Sequence, residues 1–363
     1  MVEVGAVDRL NAAQRAAAGL AKADLQKVWR LYSHLPADKL RDTLFTALPA
    51  LAQKHGDIMS AAAADWYEET LRESTGQSRR ALLSGVNLEA VEKAARWAVD
   101  DLYHGDPVDT WRKLEKSLLR HVKNAGRNTV RLNAERDGFS YARVPSGKTT
   151  CAFCLMMASR GFSYSSRGAA GETASGFGDR FHDDCDCSVV PHYALSRRER
   201  AEFDQRVEDM YGMYEAARKE VRADGFDATD RAIAQRIRDM FPGDIKDGAE
   251  VPSILRDLDS GWPEGVKPVP GRKWRHILKR HGPGGDAPSL FPDEMTEYEI
   301  AKIVRETMQA PDYTAPHPER PGTTLNYFKT IAGQKYVVGT YLDGDGKLTI
   351  ATSFPVSGNG GIL

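Results

Sequence analysis

Four cysteines and one histidine are the residues of this chain whose types and spacing most clearly indicate chemistry. Cys151 and Cys154 are separated by two residues, and His182, Cys185 and Cys187 follow after an intervening stretch of 27 residues. A Cys-x-x-Cys pair can present two thiolates to one tetrahedral ion, and the second cluster supplies three further donors. The spacing therefore predicts a zinc site formed by Cys151, Cys154, His182 and one of Cys185 and Cys187.

Four protein ligands would close such a site, so the predicted zinc is structural, since a catalytic zinc keeps one position open for water. The alternative is a group of free buried thiols or an oxidised pair. Clustered pairs differ from the spread of cysteines in a small secreted scaffold, and they favour a metal in a protein made in the cytoplasm.

A basic segment near the C-terminus is the second candidate for chemistry. From Lys267 to His281 there are six Lys or Arg residues and no acid. Histidine exchanges protons near neutral pH, and neighbouring cations stabilise phosphate. We therefore expect acid–base chemistry at His281, with His276 as the second candidate, and phosphate contacts from Lys279 and Arg280. The alternative is a solvated basic helix that ends in a capping histidine.

These residues must be positioned by at least two kinds of structure. The predicted fold is multidomain: a mainly α-helical N-terminal domain with a small zinc-bound subdomain, then a C-terminal α+β domain with an antiparallel sheet. The predicted boundaries are a helical head domain at 1–140, a loop-rich zinc-binding subdomain at 141–195, a helical connector at 196–241, a Gly/Pro-rich linker at 242–271 and the α+β domain at 272–363.

Three alternating runs separated by turns predict an antiparallel meander in the α+β domain. These runs are Thr324–Ile331, Lys335–Leu342 and Lys347–Phe354. Lys329, in the first run, either contacts phosphate or points to solvent. In the last run, strict alternation puts Thr352 and Phe354 on the face of Leu348 and Ile350. If that face packs under the helix predicted at 292–308, Thr352 is buried and Ser353 is the exposed hydroxyl.

Composition narrows the classes of function. The chain has 363 residues and a formal net charge of −1, with 50 Lys or Arg and 51 Asp or Glu. These values exclude a globally basic nucleic-acid binder but leave room for a local basic patch. No apolar run approaches the roughly 20 residues of a membrane span, and the first residues lack a signal-peptide pattern. We expect a protein made in the cytoplasm, with no membrane partner.

The cysteine and histidine pattern is specific enough to support a family resemblance. The Cys-x-x-Cys pair, a glycine-rich insert and His-x-x-Cys-x-Cys ahead of Val189-Val190-Pro191 resemble the head-morphogenesis (MuF) proteins related to the F protein of phage Mu, in their actinobacterial version. The resemblance covers about residues 40–195. It implies a minor capsid protein that associates with the portal and with other capsid or scaffold proteins and lies inside the phage head. Asp186 departs from the arginine that is common in that family.

The C-terminal region resembles a second group, the barnase, EndoU and colicin-type nucleases. Lys279-Arg280-His281 is similar to the basic and histidine group on the first helix of those proteins, and Thr352 with Phe354 is similar to the pair on the last strand. The resemblance covers about residues 265–357. It implies a nuclease in which Thr352 hydrogen-bonds the substrate. Because the 2′-hydroxyl of RNA is an internal nucleophile, we expect a metal-independent endoribonuclease acting on RNA, tRNA included, with Lys329 as a further candidate for the phosphate contacts. His317, in a proline-flanked loop, is assigned no role.

Three functions are consistent with these patterns. The favoured hypothesis is a minor head protein of a tailed phage that carries a nuclease-like effector domain. The second is a free-standing cytoplasmic nuclease toxin whose helical half is a delivery module. The third is a purely structural head protein with an inert C-terminal domain.

Overall fold

The structure is a computed structural model that describes residues 5–104, 107–164, 185–256, 261–317 and 322–356. The chain divides into two compact units, Met1–Tyr214 and Glu215–Leu363. The first is mainly helical, and the second contains an antiparallel sheet, as the sequence predicts. Among the described helices, none combines the length and apolar character needed to cross a membrane.

Long helices make up most of the first unit. In chain order they are α1 (Ala6–Tyr32), α2 (Ala37–Thr75), α3 (Leu88–Val99), α4 (Asp101–His104) and α5 (Pro107–Asp137). α2 runs for 39 residues and contains both Pro49 and Gly56, although glycine at 56 predicts a break. The helix continues because Leu44, Leu48 and Met59 are fully buried in the core shared with α1 and α5. Gly76, with φ of +71°, ends it.

A short antiparallel hairpin follows the helices and brings distant parts of the chain together. Strand β1 (Tyr141–Pro145) pairs with β2 (Cys187–Pro191), and helix α6 (Ala152–Ala158) lies between them in sequence. α7 (Arg197–Ala223) begins with a capping box, in which Ser196 Oγ accepts from the Glu199 amide and the Glu199 carboxylate accepts from the Ser196 amide. The division between the two units falls within α7.

The second unit combines helices with a four-stranded antiparallel sheet. Its helices are α8 (Asp230–Met240), α9 (Gly271–His281) and α10 (Glu297–Gln309). Its strands, in sheet order, are β3 (Tyr313–Pro316), β4 (Thr324–Ile331), β5 (Gln334–Leu342) and β6 (Leu348–Pro355). The core joins Trp274 of α9 and Val304 of α10 to Tyr327, Val338 and Ile350 of the sheet. The predicted meander is confirmed, and β3 is an additional strand.

A β-bulge in the last strand corrects the predicted orientation of its side chains. Gly339 pairs with Thr352, whereas the next residue, Thr340, pairs with Ile350, so Ala351 is the extra residue of β6. The bulge reverses the alternation, because one inserted residue moves every later side chain to the other face. Ser353 is therefore fully buried, and Thr352 faces away from the helical core, on the side of the sheet opposite to Ile350.

Residues 242–271, which their glycine and proline content predicts to be a linker, pack into the second unit wherever they are described. Val251, Leu255, Val266 and Val269 belong to its buried core. Lys267 also donates its amide to the carbonyl of Leu348, at one edge of β6. Glycine and proline are frequent here because the segment contains many turns. Their frequency alone does not distinguish a packed segment of this kind from an open linker.

Candidate functional site

The four cysteines meet inside the first unit. Cys151, Cys154 and Cys185 are buried, and their Sγ atoms all lie within 4.8 Å of one another. The Sγ of Cys154 is 3.4 Å from that of Cys185 and 3.4 Å from that of Cys187. Two segments that are about 30 residues apart in the chain thus converge as the spacing predicts, with Cys185 in the mutually close group of three.

Local backbone structure places each of these sulfur atoms. Cys151 precedes α6 and its Sγ accepts the backbone amide of Cys154, at 3.4 Å, which fixes the Cys-x-x-Cys turn. Cys187 is the first residue of β2, where it pairs with Pro145 at the end of β1. Pairing of the two strands therefore brings the second cysteine segment to the first.

A buried arginine holds the second segment in place. Arg127 of α5 is 1% exposed, and its Nε and Nη2 donate to the carbonyls of Cys187 and Cys185, at 2.9 and 3.0 Å. Its Nη1 donates to Asn124 Oδ1 at 2.9 Å. Arg127 therefore fixes the backbone on both sides of Asp186 and brings a positive charge to the cluster.

The thiols of this cluster differ in their acidity. Contacts with Cys154 and Cys185 hold the pKa of Cys187 well below its ordinary value, and the charges of Arg127 and Arg143 act in the same direction. The hydrogen bond with Cys151 is the main cause that raises the pKa of Cys154. Close, buried sulfur donors fit a metal such as zinc, which binds cysteines as thiolates.

The predicted ligand His182 lies outside the described residues. The described part of the chain thus contains three mutually close thiols and Cys187 beside them. A zinc ion held here would fasten α6 to the β1–β2 hairpin and supply folding free energy rather than catalysis.

In the second unit, the structure brings three of the sequence-predicted site residues to one face of the sheet. The ring of His281, at the end of α9, stacks on Phe354 with centroids 4.7 Å apart. Phe354 and Thr352 are two residues apart on β6, beyond the bulge, and so share that face. His281 Nδ1 lies 3.0 Å from the carbonyl of Ser289, to which it can only donate. Burial lowers the pKa of His281, so its ring is neutral at pH 7 with Nε2 unprotonated.

The other predicted residues are less well placed. His276 and Lys279 are exposed, and Lys279 precedes His281 by two residues, which puts it on roughly the opposite side of α9. Arg280 pairs with Asp286 at 3.1 Å. Lys329 shares the helical-core face of the sheet with Tyr327 and donates to the carbonyl of Ala310, at 2.8 Å. Lys329 is therefore on the wrong face to act with His281 and Thr352.

A cleft on the same face as Thr352 contains residues that the sequence analysis missed. It has a volume of about 600 Å³, and its lining includes Lys273, His317, Asn326, Tyr341 and Thr352. Asn326, Gly339 and Thr352 lie side by side on β4, β5 and β6. These residues come together only through strand pairing, and no local sequence pattern indicates that they line one cleft. His317 stands in a proline-flanked loop, where the sequence alone indicates no role.

Comparison with known proteins places the first unit in a family. A sequence model of the VG15 protein family matches residues 1–217, which include the helices α1–α6, the β1–β2 hairpin and all four cysteines. This match covers more than half of the chain. The chain belongs to the VG15 protein family.

A curated relative gives this VG15-family chain its phage context. The chain is 31% identical to the Gene 15 protein of Mycobacterium phage L5 over 122 residues. The chain spans 41% of the length of that relative. No solved structure matches the chain with statistical significance. The VG15-family chain is a phage protein.

Proposed function

We propose that this VG15-family chain is a minor head protein of a tailed phage, which associates with the portal and is packaged in the virion. The observation that carries the proposal is the family match over residues 1–217. That region contains the helical unit and the cysteine motif that resemble the Mu F head-morphogenesis proteins. The partners are the portal and other capsid or scaffold proteins.

Co-expression with the portal protein of the same phage tests the partner directly. Affinity purification of the tagged full chain should recover the portal in a fixed ratio, and co-expression with the major tail protein should recover nothing. Failure to recover the portal, when both proteins are folded, would contradict the assignment.

We propose that the cysteine cluster binds one structural zinc ion through Cys151, Cys154 and Cys185, with His182 as the fourth ligand. The mutual approach of these three sulfur atoms favours Cys185 over Cys187 as the third thiolate. The zinc connects the Cys-x-x-Cys turn to the start of β2 and stabilises the packing of these two segments.

Metal analysis of the purified full chain tests this ligand set. The wild type should hold about one zinc per chain, whereas Cys154→Ser and His182→Ala should hold much less. Cys187→Ser is the matched control and should keep its zinc. If His182→Ala keeps its zinc and Cys187→Ser loses it, then Cys187 and not His182 is the fourth ligand. A folded wild-type protein without zinc would refute the site.

We propose, third, that the second unit is a nuclease-like effector domain acting on RNA, in which His281 is the general base. The supporting observation is the group formed by His281, Phe354 and Thr352 on one face of the sheet. With Nδ1 donating to Ser289, the neutral ring has a lone pair on Nε2. The 2′-hydroxyl of RNA would pass its proton to Nε2 and bond to the adjacent phosphorus. The bond from phosphorus to the 5′-oxygen breaks, and that oxygen takes a proton from solvent, leaving a 2′,3′-cyclic phosphate.

Cleavage of a fluorogenic RNA by the full chain tests this proposal. His281→Ala should reduce the rate by about 10²–10⁴, as loss of general acid–base catalysis does. His276→Ala is the matched control, since His276 is an exposed histidine of the same helix. A base must be unprotonated, so the rate should fall as the pH drops below the lowered pKa of His281, which is under 6.5. Equal cleavage by wild type and His281→Ala would leave an inert domain.

A further inference from the structure

The floor of the cleft in the second unit carries two polar side chains on either side of a glycine. Gly339 lies between Asn326 and Thr352 on the central strand β5. A Cβ atom at position 339 would lie 3.1 Å from Asn326 Oδ1 and 3.1 Å from Thr352 Cγ2. Any larger side chain here would fill the cleft, so glycine leaves the space between the two polar side chains open.

Two polar atoms on this floor have no partner among the described residues. Asn326 is 2% exposed, and its Oδ1 accepts no hydrogen bond. The Oγ1 of Thr352 is buried and likewise unpartnered. Buried polar atoms are nearly always hydrogen-bonded, because an unpaired one costs about 1–3 kcal/mol. A bound molecule that donates to Asn326 and exchanges a hydrogen bond with Thr352 would remove that cost.

The charged residues around the cleft indicate the sign of the charge on that molecule. Lys273 Nζ lies at its edge, 4.8 Å from the centroid of the Tyr341 ring, and His317 is also in the lining. None of the described lining residues is acidic. The surroundings favour an anion, but Asn326 Oδ1 needs a donor, which a phosphate dianion does not supply. The ligand must therefore combine an anionic group with N–H or O–H donors.

We propose that this cleft binds one phosphorylated nucleoside, with Lys273 on the phosphate and with Asn326 and Thr352 hydrogen-bonded to the nucleoside. The inference rests on the proposed nuclease function and names the unit of RNA that occupies the site. Its volume of about 600 Å³ lies within the usual range of small-molecule sites. The cleft and His281 share a face of the sheet, so a nucleotide here extends towards the proposed base.

Calorimetric titration of the full chain tests the inference without any cleavage. The probes are the four nucleoside 3′-monophosphates, ribose 5-phosphate and inorganic phosphate. At least one nucleoside monophosphate should bind more tightly than ribose 5-phosphate or phosphate. Lys273→Ala and Asn326→Leu should each weaken its binding about tenfold, the value of one lost charged or buried hydrogen bond. Lys347→Ala, an exposed lysine in the β5–β6 turn, is the control and should bind as the wild type does.

Gly339→Val provides a second variant that adds bulk without removing a polar group, and it should abolish binding while the thermal unfolding transition persists. The inference is overturned if folded wild-type protein binds no nucleotide, if ribose 5-phosphate binds equally well, or if Lys273→Ala, Asn326→Leu and Gly339→Val bind as the wild type does. Nucleotide binding without RNA cleavage would refute the nuclease and keep this site. RNA cleavage that Gly339→Val leaves unchanged would keep the nuclease and refute this site.

Discussion

Arg127 and the two carbonyls that it contacts link the α5 helix to the cysteine cluster. Replacing it with methionine keeps an unbranched apolar stem but removes the donors to Cys185 and Cys187. Each buried carbonyl left unpaired costs about 1–3 kcal/mol, so Arg127→Met should destabilise the hairpin by at least about 2 kcal/mol. Hydrogen exchange of peptides that cover β1 and β2 measures this directly. Arg15→Met, at an exposed arginine of α1, should leave exchange of the hairpin unchanged.

His121 gives the first unit a predictable response to acid. Burial lowers its pKa from 6.5 to about 4, and Arg120 adds to the shift. Between these values the unfolded chain binds a proton that the folded chain does not, so the free energy of unfolding falls as the pH drops from 6.5 to 4. The shift corresponds to about 3 kcal/mol. Urea unfolding at pH 7 and pH 4.5 should show that the free energy of unfolding falls less for His121→Gln than for the wild type. For His34→Gln, at an exposed histidine, the free energy of unfolding should fall as much as it does for the wild type.

At the scale of elements, replacing two helical glycines with alanine should have opposite effects on stability. A Cβ atom at Gly56 of α2 would lie 2.1 Å from Cγ2 of Val86, whereas Gly19 of α1 has nothing within 4 Å. Gly19→Ala should stabilise the protein by about 0.5–1 kcal/mol, because alanine is the better helix former. Gly56→Ala should destabilise it by about 1–3 kcal/mol, as overpacking outweighs that gain. The melting temperatures of the two variants measure this. A rise in both, or a fall in both, would contradict the described packing.

How far the sequence predicts these elements depends on the kind of signal. Strand β4 and the convergence of the cysteines follow from local patterns, namely alternation and Cys-x-x-Cys spacing. The bulge at Ala351 leaves no such pattern, because one extra residue in a strand does not change its composition. The cleft was missed for the same reason: Asn326 and Gly339 meet only through strand pairing. Tertiary packing also overrides the break that Gly56 predicts in α2.

At the scale of the whole molecule, the second unit should reach its full stability on its own only if it begins before α8. Asp239 of α8 accepts the amide of Ser253 at 3.0 Å, and Arg236 lies over the ring of Tyr298, 4.8 Å from its centroid. A fragment of residues 215–363 should therefore unfold cooperatively. A fragment of residues 251–363 loses these contacts and should melt at least about 5 °C lower. Equal melting temperatures would show that α8 contributes nothing to this unit.

The central claim is that the VG15-family chain is a component of the phage head, and its presence in particles tests this most directly. Mass spectrometry of gradient-purified virions of the phage that encodes it should detect peptides from both units, 1–214 and 215–363, at a low copy number relative to the major capsid protein. The intact chain should band with the particles after nuclease and salt washes. Its absence from particles in which portal and capsid peptides are detected would contradict the account.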